Sequence, residues 1–180
     1  MNLNGNTIVI DKDPVTTHFH KTVENPLRGD AFAMDDNTKI ELISEKFRDI
    51  IDLLGLDLTD DSLKDSPKRG AKMYVNEIFR GLNPKNKPKA TVFKNKYGYH
   101  TPLIELNIPF TSFCEYHFVP IQGKANIAYI PGDYVIGLSK IHRIVDFYAK
   151  RPQVQERLTM QILQELSTSL QTEDVGVVLR

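Results

Sequence analysis

Apolar residues recur at helical spacing in the N-terminal half of the chain. Over residues 38–54 they fall on one face of a predicted helix, at Ile40, Ile43, Phe47, Ile50, Ile51 and Leu54. Gly55 follows where a C-terminal cap is expected. A second helix is predicted from Ser66, as N-cap, and Pro67, in the first turn, to Gly81. Gly70 lies inside it, so this helix should depend on packing.

Further along the chain the apolar period changes to two, which predicts β-strands. The predicted strands start at Leu103, cover residues 119–130 and cover residues 175–179. The first passes through Ile104, Leu106 and Ile108, and Pro109 is expected to end it or to mark a sheet edge. The second should turn Ile121, Ala125, Ile127 and Tyr129 to one side.

Two more helices are predicted between the second and third strands, over residues 139–151 and 152–170. Their inward faces are predicted to carry Ile141, Ile144, Val145 and Tyr148, and then Val154, Leu158, Ile162, Leu166 and Leu170. This order predicts an α+β fold: an antiparallel sheet with two helices on one face, preceded by N-terminal helices. Three strands leave an open edge, so we expect partner subunits or further C-terminal strands.

Composition narrows the class of protein. Hydrophobic residues make up 41% and charged residues 26% of the 180 residues, as in soluble globular proteins. Basic and acidic residues number 23 each, which predicts no general affinity for nucleic acid or membranes. The single cysteine excludes an intramolecular disulfide, and residues 1–11 lack the features of a secretory signal. We therefore expect a cytoplasmic protein.

Cys114-Glu115-Tyr116-His117 lies between the first two predicted strands. A thiolate and an imidazole separated by two residues can turn toward one zinc ion, although catalytic zinc sites normally have three protein ligands. A buried structural cysteine and an ordinary histidine explain the same residues. His18 and His20 could also suit a metal, but a mobile polar segment explains them as well.

Two polar clusters open the third and fourth predicted helices. The first of these helices opens with Ser139, Lys140 and Arg143, which place positive charge where the helix dipole favours anions. A bound phosphate would remove this electrostatic conflict. A solvated basic face is the alternative. Gln155 and Glu156 open the next helix, where a carboxylate could accept hydrogen bonds from N1–H and the exocyclic amine of guanine. A surface pair on an amphipathic helix is again the alternative.

Three segments resemble the GTP cyclohydrolase I family: DDSLKDSPKRGAKMYVNEIFRGL, TSFCEYHFVPIQGKANIAYIP and GLSKIHRIVDFYAKRPQVQERLTMQI. The resemblance implies the tunnelling fold, in which subunit sheets join into a barrel, commonly as a homo-decamer with sites at subunit interfaces. Residues 1–35 show no sustained periodicity and are predicted to form an extended arm, residues 36–82 form the predicted helical pair, and the resemblance makes residues 90–180 a tunnelling-fold catalytic domain. The resemblance also implies conversion of GTP and water to formate and 7,8-dihydroneopterin triphosphate, the first step toward folate and pterin cofactors.

The resemblance implies roles for the motif residues. Cys114 and His117 match two of three ligands for Zn²⁺, which would activate a water to attack C8 of guanine. His117 and Glu156 match catalytic positions, and Tyr116 stands where the family has a catalytic histidine. Ser139, Lys140 and Arg143 match triphosphate-binding positions, and Gln155 and Glu156 match guanine-binding positions.

Two departures from the family pattern shape the expected activity. A phenol with a pKa near 10 cycles protons poorly at neutral pH, so Tyr116 should impair proton transfer. In the family a later segment carries the third zinc ligand, which is absent up to Arg180, so we expect an incomplete metal site and catalytic domain in this chain. The alternatives are an impaired homologue that binds purine nucleotide or co-assembles with an active paralogue, and another tunnelling-fold enzyme acting on a pterin or deazapurine.

Overall fold

A computed structural model describes residues 23–180. His18 and His20, with most of the predicted arm, lie outside the described residues. The described α-helices are α1 (Asp36–Leu53), α2 (Ser66–Met73), α3 (Leu138–Ala149) and α4 (Gln155–Leu170). The described strands are β1 (Val92–Lys94), β2 (Leu103–Cys114), β3 (Pro120–Tyr129), β4 (Tyr134–Ile136), β5 (Pro152–Gln153) and β6 (Val175–Leu179). None of the helices in this part of the chain has the length and apolar character to cross a membrane.

Helix α1 begins at a side-chain cap and ends where the sequence predicts. The Asp35 carboxylate accepts hydrogen bonds from the backbone N–H groups of Asn37 and Thr38, and Gly55 follows the helix with φ of 78°. The apolar stripe is nevertheless only partly covered by the rest of the chain. Ile40 is buried, whereas Ile50 is 52% exposed and Leu54 71% exposed. Periodicity therefore identified the helix but not what lies against it.

The N-cap of helix α2 lies one residue earlier in the sequence than predicted. Asp65 is the N-cap, so Ser66 and Pro67 are the first helical residues, and the prediction of Ser66 as the cap was wrong. The helix then widens into a π-helical turn at Tyr74–Ile78, closed by the hydrogen bond from Phe79 N–H to the Tyr74 carbonyl. Short 3₁₀ turns follow at Arg80–Leu82 and Pro84–Asn86.

The main sheet has the strand order β5-β2-β3-β6, and a separate small sheet pairs β1 with β4. Strand β2 is antiparallel to β3, which is antiparallel to β6, while β5 joins the end of β2 in parallel. The described fold is thus α+β, as predicted. The sequence pattern missed β1, β4 and β5, which have only two or three residues each.

The first predicted strand differs from the structure in two places, a bulge in β2 and the residue Pro109. The register with β3 shifts between Glu105 and Ile108, and Asn107 adopts a φ of 61°. Because the bulge changes which residues face the helices, Ile104 is 60% exposed while Ile108 is buried. The strand continues through Pro109, so the prediction that it ends there was wrong. The alternative of a sheet edge is correct, since β5 pairs only with the last two residues of β2.

Helices α3 and α4 cover one face of the main sheet and form the core with it. Their predicted inward residues Ile141, Ile144, Val145, Tyr148, Leu158, Ile162, Leu166 and Leu170 are buried, whereas Val154, also predicted to face inward, is the N-cap of α4 and only partly buried. Helix α4 begins at Gln155 instead of Pro152, because Pro152–Gln153 pairs with β2 as β5. Helix α3 runs beside β2 in the same direction: His142 Nε2 lies 3.0 Å from Glu105 Oε1, and Ser112 Oγ lies 3.4 Å from the Arg151 carbonyl.

Two glycines near these elements face very different surroundings. A Cβ on Gly81 would lie 2.0 Å from the Phe147 carbonyl oxygen and 2.8 Å from that of Lys150. The Gly81 N–H also donates to the Lys150 carbonyl at 2.9 Å, which holds the backbone of this turn against the end of α3. A Cβ on Gly70 would instead meet the Phe47 ring at 3.6 Å, an ordinary van der Waals contact.

We therefore expect opposite effects of alanine at these two positions. Gly81→Ala should lower the free energy of unfolding by about 2–3 kcal/mol, because backbone oxygens must move to admit the methyl group. Gly70→Ala should raise it by about 0.5–1 kcal/mol through higher helix propensity. Urea unfolding followed by circular dichroism measures both, and equal effects of the two substitutions would contradict the close approach at Gly81.

Candidate functional site

The turn after β2 brings the two predicted metal ligands together. Phe118 N–H donates to the Cys114 carbonyl at 2.8 Å, and Cys114 N–H donates to the Val119 carbonyl at 2.9 Å, so residues 115–117 form a tight connection to β3. Phe118 has a φ of 55°, which lets the chain reverse within this short span. Cys114 Sγ consequently lies 3.4 Å from His117 Nδ1.

This separation suits a shared metal ion. Zinc lies about 2.3 Å from a thiolate sulfur and about 2.0–2.1 Å from an imidazole nitrogen, and a tetrahedral angle then places the two donors about 3.5 Å apart. Cys114 is partly buried and His117 is exposed, so the pair is open to a ligand from outside the chain. The geometry and donor chemistry therefore fit zinc.

Cys114 and His117 are the two predicted zinc ligands among the described residues, and a zinc site normally needs a third. Residues 23–180 contain no group of three or more His, Cys, Asp or Glu side chains that could hold a metal ion. His142 is bonded to Glu105 near the start of β2, away from the turn. The third ligand implied by the family resemblance stays a prediction.

Tyr116 occupies the middle of the turn and points outward. Its side chain is 75% exposed, and its ring centroid lies 6.4 Å from that of His117. The position predicted to carry proton transfer is therefore next to the metal-ligand pair and accessible from solvent. No packing in the described chain requires a tyrosine there.

The predicted guanine-binding residues lie close to this turn. Strand β5 pairs Gln153 with Cys114, and the Gln153 carbonyl accepts the Glu115 N–H at 3.1 Å. Helix α4 starts two residues later, so Gln155 and Glu156 open it beside the turn. Both side chains are exposed, and a carboxylate in a first helical turn is stabilised by the helix dipole.

The predicted phosphate-binding residues lie elsewhere in the same chain. Ser139, Lys140 and Arg143 occupy the first two turns of α3, and this end of α3 lies beside Glu105. The nine residue-to-residue steps of strand from Glu105 to Cys114 span about 25–30 Å, given about 3.3 Å per residue. The structure therefore brings the predicted metal ligands close to the predicted guanine-binding residues but places the predicted phosphate cluster at the opposite end of β2.

A polar layer under the turn was not predicted from the sequence. Gln153 Nε2 donates to the Tyr148 carbonyl at 2.8 Å and to Gln161 Oε1 at 2.7 Å, and all three residues are buried. Arg151 is also buried, with its guanidinium 4.7 Å from the Phe147 ring centroid, and burial lowers the pKa of this guanidinium from its ordinary value. Alternating polar residues between two helices gave only a weak signal of this arrangement.

An ion pair joins the turn to α4 and was also missed. Both carboxylate oxygens of Glu115 face the two terminal nitrogens of Arg157. The partners are 42 residues apart, and each stands next to a residue that the sequence did single out, Cys114 or Glu156. The one indication of this ion pair in the sequence was that each partner lies next to a residue of a predicted motif.

Comparison with known proteins decides the family. The family model described as GTP cyclohydrolase I matches residues 43–180. The chain belongs to the GTP cyclohydrolase I family. Its α+β architecture is consistent with the tunnelling fold of that family. A GTP cyclohydrolase 1 of Flavobacterium johnsoniae is 56% identical over 163 residues, covering 91% of this chain and 73% of the relative.

Other relatives agree with this membership. A GTP cyclohydrolase 1 of Citrobacter koseri is 56% identical over 155 residues, and one of Escherichia coli is 54% identical over 155 residues. Each alignment covers 86% of this chain and 70% of the relative. These proteins carry the name of a GTP cyclohydrolase, and membership in this enzyme family identifies the chain as a GTP cyclohydrolase I hydrolase.

The metal-ligand geometry can be tested with cobalt as a spectroscopic substitute for zinc. We expect Co²⁺ to give a sulfur-to-metal charge-transfer band with this protein, because Cys114 would bind it as a thiolate. Cys114→Ser should abolish the band. His142→Ala is the matched control and should retain it, since His142 contacts Glu105 far from the turn. A band that survives in Cys114→Ser would contradict the assignment, because no other cysteine is present.

Proposed function

We propose that this GTP cyclohydrolase I family member performs the zinc-dependent hydrolysis of GTP to formate and 7,8-dihydroneopterin triphosphate. The observation that carries the proposal is the 3.4 Å approach of Cys114 Sγ to His117 Nδ1, beside the helix that opens with Gln155 and Glu156. One water is consumed: C8 of guanine leaves as formate, and the remaining atoms form the dihydropterin. The product would serve folate and pterin synthesis in the cytoplasm.

Cys114 and His117 would hold the zinc ion. When bound, zinc acts as a Lewis acid that makes water nucleophilic near neutral pH, the chemistry that attack on C8 requires. The turn contributes by fixing its two donors close together before the metal arrives, through the backbone hydrogen bonds of Cys114 with Phe118 and Val119. Pre-formed donors lower the ordering cost of metal binding.

Gln155 and Glu156 would recognise the base. A carboxylate accepts two hydrogen bonds, and guanine offers N1–H and the exocyclic amine in matching positions, whereas adenine has an acceptor at N1. The Gln155 amide donates to the Leu179 carbonyl at 3.3 Å, which ties this first turn of α4 to β6. The base would therefore be held by a fixed edge of the sheet next to the metal pair.

Ser139, Lys140 and Arg143 would bind the triphosphate. Two cations in the first two turns of α3 oppose the helix dipole, and an anionic phosphate removes that conflict by accepting hydrogen bonds from the side chains and backbone N–H groups. The Ser139 and Arg143 side chains are exposed, so they are available to a ligand. The Lys140 backbone N–H is already bonded to the Gly137 carbonyl at 2.8 Å, so the proposed contact of Lys140 with phosphate is made by its ammonium group.

The distance between the predicted phosphate-binding residues and the predicted metal ligands supports a homo-oligomer whose sites are shared between chains. The phosphate cluster and the metal pair of one chain are separated by about 25–30 Å along β2, which is longer than a GTP molecule. A site that binds both ends of GTP would therefore combine Cys114 and Glu156 of one chain with Lys140 of another. The decamer expected from the family provides such interfaces.

Tyr116 favours a second candidate function, a catalytically impaired homologue that still binds GTP. A phenol exchanges protons less readily than an imidazole at neutral pH, and general acid–base groups typically contribute 10²–10⁴-fold to rate. The phenol is 75% exposed and could still donate a hydrogen bond. Formate release distinguishes the two candidates, because both bind GTP.

The phosphate assignment predicts unequal effects on two ligands. Lys140→Ala should weaken GTP binding by about 10- to 100-fold, the value of a lost charge-assisted hydrogen bond, and leave guanosine binding nearly unchanged. Glu156→Gln is the matched variant and should weaken both ligands, because its proposed partner is the base. Isothermal titration measures these constants, and equal losses for GTP and guanosine in Lys140→Ala would refute the assignment.

The shared-site arrangement predicts complementation between impaired chains. At a GTP concentration well below KM, Cys114→Ala should abolish formate release and Lys140→Ala should lower it by about 10- to 100-fold, whereas chains co-expressed at equal levels should regain roughly a quarter of the parent activity by random assembly. The control mixture of Cys114→Ala with His117→Ala should stay inactive, because each of these chains lacks one of the two proposed metal ligands. A parent protein that releases no formate overturns the proposed hydrolysis, and an active parent without complementation overturns the shared site.

A further inference from the structure

The Glu115–Arg157 ion pair has a geometry that restricts movement between the turn and α4. Arg157 Nη1 donates to Glu115 Oε2, and Arg157 Nη2 lies 3.3 Å from Glu115 Oε1. The side chains are 20% exposed for Glu115 and 14% exposed for Arg157, so water screens the pair little. A planar guanidinium bonded at two points fixes both distance and orientation, which a single contact does not.

Stability alone does not explain this arrangement. Arg157 Nε is buried and has no hydrogen-bond partner among the described residues, which carries a desolvation penalty. A cation in the first turns of α4 also opposes the helix dipole. Buried ion pairs are often no more stabilising than apolar residues of the same volume. An arrangement that sacrifices stability in these ways is explained by a requirement for a defined geometry.

The pair links the two parts of the proposed site that lie in one chain. Glu115 directly follows Cys114, and its N–H is held by the Gln153 carbonyl. Arg157 directly follows Glu156 on α4. Consecutive helical residues point about 100° apart at 3.6 residues per turn, so fixing Arg157 against the turn also fixes the direction in which Glu156 projects.

We propose that Glu115 and Arg157 are positioning residues that set the distance and orientation between the Cys114–His117 metal pair and the Glu156 carboxylate. This inference rests on the proposed function, since Glu156 is taken to hold guanine and the metal pair to act on its C8. Neither partner needs to touch the substrate. A displacement of about 1 Å between a bound group and the reacting centre can lower a rate by about 100-fold, so this role is sensitive to small changes.

The decisive variant is Arg157→Lys, which retains the charge and removes the two-point contact. We expect Co²⁺ affinity to fall by about 10-fold or more, because outer residues that orient metal ligands typically contribute 10–100-fold. We expect kcat for formate release to fall by about 10- to 100-fold while KM changes by less than about threefold, the pattern for a lost transition-state geometry. Glu115→Gln keeps the shape of its side chain and should give the same pattern.

Arg80→Lys is the matched control. Arg80 and Asp146 form another long-range arginine–carboxylate pair, but it is 47% and 44% exposed and joins the 3₁₀ turn at Arg80–Leu82 to α3, and neither residue has a proposed role in the site. This variant should change neither Co²⁺ affinity nor kcat. Urea unfolding of all three variants separates general loss of stability from loss of positioning.

Two experimental outcomes would overturn the positioning role, and a third would overturn the proposed function. Parent-like Co²⁺ affinity and kcat in both Arg157→Lys and Glu115→Gln would overturn the positioning role while leaving the proposed function intact. Losses of equal size in Arg80→Lys would show that any long-range pair has the same effect, and would also overturn it. A parent protein that neither binds Co²⁺ nor releases formate would instead overturn the proposed function on which the inference rests.

Discussion

The antiparallel pairing of β2 with β3 is the constraint on which the other parts of this structure depend. It runs from Leu103 opposite Tyr129 to Phe113 opposite Pro120, and the turn that closes it holds Cys114 beside His117. Helix α3 follows β2 along its length, β5 pairs with its last residues, and β6 extends the sheet from β3. A shift of this pairing by one residue would exchange the faces of the strands and separate the turn from α4.

The interior of the protein is divided between an apolar core and a polar layer. The core lies between the sheet and helices α3 and α4, where side chains pack without directional requirements. The polar layer lies under the turn, where Arg151, Gln153 and Gln161 are buried and bonded to the backbone or to one another. Directional bonds in a low-dielectric interior favour a defined arrangement, so this layer supports the position of the turn that carries the proposed chemistry.

Local patterns predicted what depends on neighbouring residues. The buried faces of α3 and α4 followed from helical periodicity, and the Cys114–His117 pair followed from its short spacing. The β2 bulge was not predictable, because it depends on the register with β3, where Asn107 is left out of the strand pairing and its N–H donates to Asn126 Oδ1. The Glu115–Arg157 pair and the long separation of Lys140 from Cys114 depend on topology, which a single sequence does not specify. The division into arm, helical pair and catalytic domain stays a prediction, as do the roles of the site residues.

The connection between α3 and α4 bears on how genes of this family can change in length. Only residues 150–154 separate the two helices, and within them Arg151 and Gln153 are buried while Pro152–Gln153 is hydrogen-bonded to β2. An inserted or deleted codon there would rotate α4 relative to the sheet, because the short, buried connection cannot accommodate a change in length. The 3₁₀ turn at Pro84–Asn86 is exposed and could lengthen freely. Natural variation in length should therefore accumulate before the sheet and be eliminated by selection between these helices.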